Sequence, residues 1–167
     1  MRKKIIAAIL GLITLLGLWF FWRKIGKRLN RQSEVKPTAH PKAKEFYSRT
    51  KEILKLSSNT VKLVTAVAMH ETGNFESMLY FSNHNAFGMK MPQIRDTTAV
   101  VEKGGYAYYD TIDDSIRDFE LWFNYHKASV SDFSNPVELT NYMKSKGYFE
   151  DTLQNYQTAV VKHFNTL

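Results

Sequence analysis

The chain of 167 residues contains no cysteine, which excludes disulfides, a thiol nucleophile and cysteine-based zinc sites. Acid is missing from one end: residues 1–31 hold eight Lys and Arg (Arg2, Lys3, Lys4, Arg23, Lys24, Lys27, Arg28 and Arg31) and no Asp or Glu. Residues 32–167 hold fifteen basic residues against sixteen acidic ones, a net of −1. The formal charge of +7 therefore belongs to the N-terminal appendage, and the charge pattern argues against nucleic acid as a partner. Internal repeats and low-complexity tracts are absent as well. A metal site lacks its ligands. His70-Glu71 begins the zinc-protease pattern H-E-x-x-H, but position 74 is Asn, and His84 reads as a loop residue rather than a ligand.

The length allows one modest domain plus an appendage, and 11 Phe, 9 Tyr and 3 Trp supply its core. Residues 5–22 run for 18 positions without a charge. At about 1.5 Å per residue they nearly cross the ~30 Å hydrocarbon core of a bilayer. Trp19, Phe20, Phe21 and Trp22 close the run as interfacial aromatics do, and bulky residues followed by Arg23-Lys24 do not suit signal-peptide cleavage. We therefore expect a single transmembrane helix with basic flanks in residues 1–31, and a lipid bilayer as partner of residues 5–22. The heavier basic flank follows the run, which by the positive-inside rule would turn the rest of the chain toward the cytoplasm. Residues 32–42, with Pro37 and Pro41 among polar residues, read as a short stiff linker.

Residues 43–167 read as one small, mainly helical domain. A weakly amphipathic helix is expected over 43–56. Ser57-Ser58-Asn59 offers N-caps to a second helix, whose Val61, Val64, Ala68 and Glu71 share one face and which Gly73 stops. A carboxylate in the last turn of a core helix is unusual. The negative end of the helix dipole disfavours its charge and raises its pKa. Residues 74–96 look loop-like. Residues 97–101 and 106–109 form β-branched and aromatic runs joined by Glu102-Lys103-Gly104-Gly105, a β-hairpin beside the Glu71 helix. Thr111 caps the next helix, with Ile112, Ile116, Phe119 and Phe123 on its apolar face. Asn135-Pro136 opens another helix that Gly147 ends, and Leu153, Tyr156, Val160 and Phe164 mark a last one.

The stretch Ala66-Val67-Ala68-Met69-His70-Glu71-Thr72-Gly73, then Ser77, then Asn85-Ala86-Phe87-Gly88-Met89-Lys90, resembles the signature of the bacterial and phage glucosaminidases, endo-β-N-acetylglucosaminidases of the lysozyme-like superfamily. Tyr106-Ala107-Tyr108-Tyr109-Asp110-Thr111 followed by Asp114-Ser115-Ile116 is similar to that family's hairpin exit, and Gly147-Tyr148-Phe149-Glu150-Asp151 with Tyr156 to its late Gly-Tyr motif. The resemblance covers about residues 45–165. It implies an α+β lysozyme-like fold, hydrolysis of the β-1,4 bond after N-acetylglucosamine in peptidoglycan, no cofactor, glycan strands as partner, and Glu71 as the general acid. It also implies a domain facing the cell wall, against the charge bias of the flanks. Many members carry a second Glu on the hairpin soon after a Thr pair. Here Thr97-Thr98 is followed by Ala99.

Glycoside cleavage needs an acid for the leaving oxygen and help at the anomeric carbon. Three sources of that help stay open: Glu102 as base, Asp96 or Asp110 in its place, or the substrate's own N-acetyl group. Asn85 and Phe87 are expected on the groove floor, or alternatively as a turn cap and a core residue. Of Tyr106, Tyr108 and Tyr109, which alternate along a strand, one face should meet sugar and the other core, with Tyr106 and Tyr109 assigned to the groove. Tyr148 and Tyr156 are candidates for groove hydroxyls, although Tyr156 also fits the last helix's apolar stripe. Two other functions stay open: a glycan-binding component of an envelope or phage-particle complex without catalysis, and a muramidase or lytic transglycosylase.

Overall fold

The structure, a computed structural model, describes residues 40–167. The expected anchor at residues 5–22, its basic flanks and most of the 32–42 linker lie outside the described residues. Among the described residues no helix is long and apolar enough to cross a membrane.

Six α-helices and one two-stranded hairpin make up the domain: α1 (Pro41–Leu54), α2 (Ser58–Glu71), α3 (Met78–Asn83), β1 (Val101–Lys103), β2 (Tyr106–Tyr108), α4 (Ile112–Tyr125), α5 (Pro136–Ser145) and α6 (Leu153–Thr166), with a 3-10 turn at Val130–Asp132 before α5. Mainly helical with a small hairpin, this architecture is consistent with a lysozyme-like fold.

The helix starts follow from side-chain capping. Ser57 accepts from the Thr60 amide, Thr111 from that of Asp114 in a full capping box, Asn135 from that of Glu138, and Thr152 from that of Asn155. α1 opens with Pro at its first position, two residues earlier than expected, so Pro41 and Lys42 belong to it rather than to a linker.

Helix α2 is the axle of the domain. Every residue from Thr60 to Met69 except Lys62 is buried. The sequence suggests a one-faced helix, yet this one is enclosed all round, the mark of a central element. Its small Ala66 and Ala68 and its β-branched neighbours let α1 and α6 pack closely on it, while α5 packs on α6 and α4 on α1. Burying each large apolar side chain contributes roughly 1.5–3 kcal/mol, and here Phe46, Phe87, Phe119, Phe123 and Leu139 join one continuous core with Leu63 and its neighbours in α2.

Two expectations about chain path need correction. The stretch 74–96 is not all loop: Ser77 caps the six-residue helix α3. The hairpin turn is Gly104-Gly105 alone, so Glu102 stands within β1, paired with Ala107, instead of in the turn. The strands are three residues long, shorter than either apolar run suggests.

Candidate active site

The last turn of α2 delivers His70 and Glu71 to the floor of a cleft of about 610 Å³. Immediately beyond it the chain leaves the helix sharply. Thr72 turns its hydroxyl back onto the Ala68 carbonyl (2.6 Å) and accepts the Phe75 amide (2.9 Å). Gly73, Asn74 and Phe75 then take left-handed backbone in succession. This leaves Glu71 at a free helix end, facing the cleft instead of a continuing turn.

One wall is the loop Asn85-Ala86-Phe87-Gly88-Met89-Lys90. Asn85 builds it. The Asn85 amide donates to the Met89 carbonyl (2.8 Å) and the Ala107 carbonyl (3.0 Å), and its oxygen accepts the amides of Phe87 (3.2 Å) and Met89 (3.1 Å). Those four bonds use the full capacity of a carboxamide, and the side chain is completely buried. Asn85 is therefore a strut that shapes the loop and ties it to β2, not a sugar-contacting group. Phe87 borders the cleft but packs inward, stacked on Phe119 with ring centroids 4.0 Å apart. Gly88 faces the acid. Its φ of +62° suits glycine, and a Cβ there would stand 2.9 Å from Glu71 Oε2.

The opposite wall comes from the α5–α6 connection, Gly147 to Asp151, and from α6. The Tyr148 hydroxyl donates to the Phe87 carbonyl (2.8 Å) and so bridges the two walls. The Tyr156 hydroxyl donates to Glu71 Oε1 at 2.5 Å. The Tyr156 ring is clamped between Phe149, stacked 3.7 Å away, and the edge-on His70 imidazole at 4.5 Å.

Burial pushes the Glu71 carboxyl up to about 7, with the Tyr156 hydrogen bond opposing the rise. Desolvation thus outweighs the hydrogen bond, and the group is protonated in a sizeable share of molecules near neutrality. Burial and the neighbouring Glu71 carboxyl raise Tyr156 and Tyr148 well above their ordinary range, so both stay hydrogen-bond donors. Burial lowers His70 against the opposing pull of Asp151. The result is a carboxyl that can hold a proton near neutrality, beside neutral partners at the edge of an open cleft, an arrangement chemically suited to general-acid work.

The site residues expected from sequence separate into those that the structure brings together and those that it does not. Glu71, Phe87, Tyr106, Tyr148 and Tyr156 border the cleft. Tyr109 does not. It is fully buried, and its hydroxyl donates to Asp118 Oδ2 at 2.7 Å. The residue following β2 turns into the core, so of the two groove tyrosines only Tyr106 remains at the cleft. Glu102 is exposed on β1 outside the cleft lining, and Asp96 and Asp110 are exposed and outside it too. The acids that do border it besides Glu71 are Glu150 and Asp151.

Arg95 was invisible to pattern reading. It borders the cleft from the 91–100 stretch and grips Asp118 of α4 with two parallel bonds of 2.8 and 2.9 Å. Its side chain is 7% exposed and that of Asp118 0%. Burial works to raise the Asp118 carboxyl, but the Arg95 and Tyr109 hydrogen bonds outweigh it and hold the group below its ordinary value. An Asp on the apolar face of a helix that also carries Ile116 and Phe119 is the one sequence signal that a buried cation would be needed.

Among the described residues no group of three or more His, Asp or Glu is placed to hold a metal ion. Comparison with curated proteins returns no match, and comparison with solved structures returns none. The family model described as Glucosaminidase, mannosyl-glycoprotein endo-beta-N-acetylglucosaminidase, matches residues 48–167. That span takes in the Glu71 helix end, the Asn85–Lys90 loop, the hairpin and both elements of the far wall: the chain belongs to the glucosaminidase family, and its domain is a glycoside hydrolase.

Proposed function

We propose that the domain hydrolyses the β-1,4 bond after N-acetylglucosamine in peptidoglycan, with Glu71 as the proton donor. The observation that carries this reading is the state of the Glu71 carboxyl: buried at the cleft floor, raised to about 7, and oriented by Tyr156. A protonated Glu71 gives its proton to the glycosidic oxygen as the bond to the anomeric carbon breaks. For the second group, the substrate's own N-acetyl oxygen is the better supported choice. Glu102, Asp96 and Asp110 all lie outside the cleft lining, and the two further acids that border it, Glu150 and Asp151, are solvent-exposed. Attack by the acetamido oxygen on the anomeric carbon forms a cyclic oxazolinium. Water then opens it, giving its proton to the Glu71 carboxylate and restoring the starting enzyme.

Residues 5–22 would tether the domain to a bilayer on the side of the membrane that holds the wall. The support for that tether is the uncharged run of 18 residues in the sequence.

The test is digestion of purified peptidoglycan by the full chain beside Glu71→Gln, with masses of the released fragments. The expected result is new reducing ends on N-acetylglucosamine with the wild type and none with the variant. Ends on N-acetylmuramic acid or anhydro products would assign the domain to the muramidases or lytic transglycosylases. Binding without any release would leave a glycan-binding component.

A further inference from the structure

Lys144, in the last turn of α5, lies outside the cleft lining yet is connected to it by an unbroken series of contacts. Its ammonium group donates to three consecutive carbonyls, those of Phe149 (3.3 Å), Glu150 (3.3 Å) and Asp151 (2.7 Å). An ammonium has three N–H donors, and all three are used on this one segment. The same nitrogen stands 5.1 Å from the centre of the Phe149 ring, within cation–π range. The Phe149 ring lies flat on Tyr156, 2° from parallel, and Tyr156 holds Glu71.

The α5–α6 connection needs such a fastening. Gly147 turns it with φ +71°, the Tyr148 amide returns to the Met143 carbonyl, and Thr152 opens α6. Between these fixed points, Lys144 holds the three carbonyls of 149–151 in one orientation. The Lys90–Glu150 pair adds little, because it spans 3.7 Å between largely exposed side chains.

We infer that Lys144 is a positioning residue for the reaction: by holding the 149–151 segment it keeps Phe149 flat against Tyr156 and so fixes the Tyr156–Glu71 hydrogen bond. The inference rests on the reading of Glu71 as proton donor. It assigns Lys144 no contact with substrate. Misplacement of the Tyr156 hydroxyl by a fraction of an ångström acts on the acid's orientation, whereas the facing wall, Asn85 to Lys90, which Lys144 does not contact, stays as it is.

The experiment compares full-length wild type, Lys144→Met, Lys144→Arg and Glu71→Gln on purified peptidoglycan, with circular dichroism and thermal melting alongside. Methionine keeps an unbranched stem of similar length without the charge. We expect kcat to fall roughly tenfold in Lys144→Met with a smaller change in KM, and Lys144→Arg to recover most of the loss. If Lys144→Met fails to fold, Phe149→Leu, which keeps the ammonium and its three carbonyls but removes the flat ring, is expected to give the same kcat loss. A folded Lys144→Met with wild-type kcat, beside an inactive Glu71→Gln, overturns the inference and leaves the proton donor standing. So does a folded Phe149→Leu with wild-type kcat, where it replaces Lys144→Met. An active Glu71→Gln overturns both.

Discussion

Gly88 faces Glu71 with no room for a β-carbon between them. A methyl group on the Gly88 Cα would meet Glu71 Oε2 at 2.9 Å, and the backbone there is left-handed at φ +62°. The glycine therefore defines how far the acid projects into the cleft. Gly88→Ala is expected to displace the carboxyl, because the far end of a side chain yields before the backbone does. The backbone strain should cost about 1–3 kcal/mol of stability. With Glu71 as the proposed proton donor, the activity loss should be larger, on the order of a hundredfold in kcat. Thermal melting and steady-state rates on the same preparation check both halves.

The raised Glu71 fixes the sign of two pH effects. Its folded value of about 7 lies above the ordinary 4.5, so the folded state holds the extra proton between those limits. The stabilisation attached to that proton is fully present below about 4.5 and is lost as pH rises through 7. Glu71→Gln mimics the neutral form, so its stability relative to wild type should rise with pH, by at most about 3 kcal/mol between pH 4 and pH 8. Wild-type kcat/KM should decline above neutrality as the donor is lost. Denaturant unfolding across pH, together with a pH–rate profile, tests this. A flat stability difference would count against the buried acid.

Arg95 and Asp118 hold the 91–100 stretch to α4, and their pair is nearly sealed from water. Arg95→Met leaves the Asp118 carboxylate with only its remaining partners in a dry site. It should lower stability by roughly 3–5 kcal/mol. Asp118 is held below its usual value, so its contribution is present above the ordinary 3.8 and disappears as pH falls through the folded value. Acid denaturation of wild type should therefore be steeper than that of Arg95→Met, as fluorescence-monitored titration will show.

Glu102 supplies a sharp contrast. It is exposed on β1 and outside the cleft lining. Glu102→Gln should keep kcat within about twofold of wild type if the acetamido group does the second half of the chemistry. A thiazoline analogue of the cyclic intermediate should inhibit both proteins equally. A large loss of kcat in Glu102→Gln would return that residue to the mechanism.

The helix starts and Glu71's place were legible because each depends on neighbours in sequence. A cap needs only the next three residues, and a helix end needs a Gly73 beyond it. What was not legible depended on contacts across the chain. Arg95 finds its partner 23 positions away, and nothing local marks it. Helix α3 is six residues long, too short for any apolar period to emerge. Tyr109, by contrast, continues the alternation of β2: it is buried like Ala107 while Tyr106 is exposed, so a period of two already sets it opposite Tyr106 and away from the groove. Asn85 belongs to a recognisable motif, but its work is internal to the loop, a difference that only its four hydrogen bonds reveal.

Glu71 closes the second helix of the domain and Tyr156 sits in the last, 85 positions later. The acid and its hydroxyl partner thus come from two helices far apart in the chain. A growing chain carries the Glu71 helix long before the 14 residues of α6 exist to complete the pair. A nascent or prematurely ended chain would have the carboxyl without the group that orients it. The acid and the group that orients it therefore meet only once α6 has packed against α2.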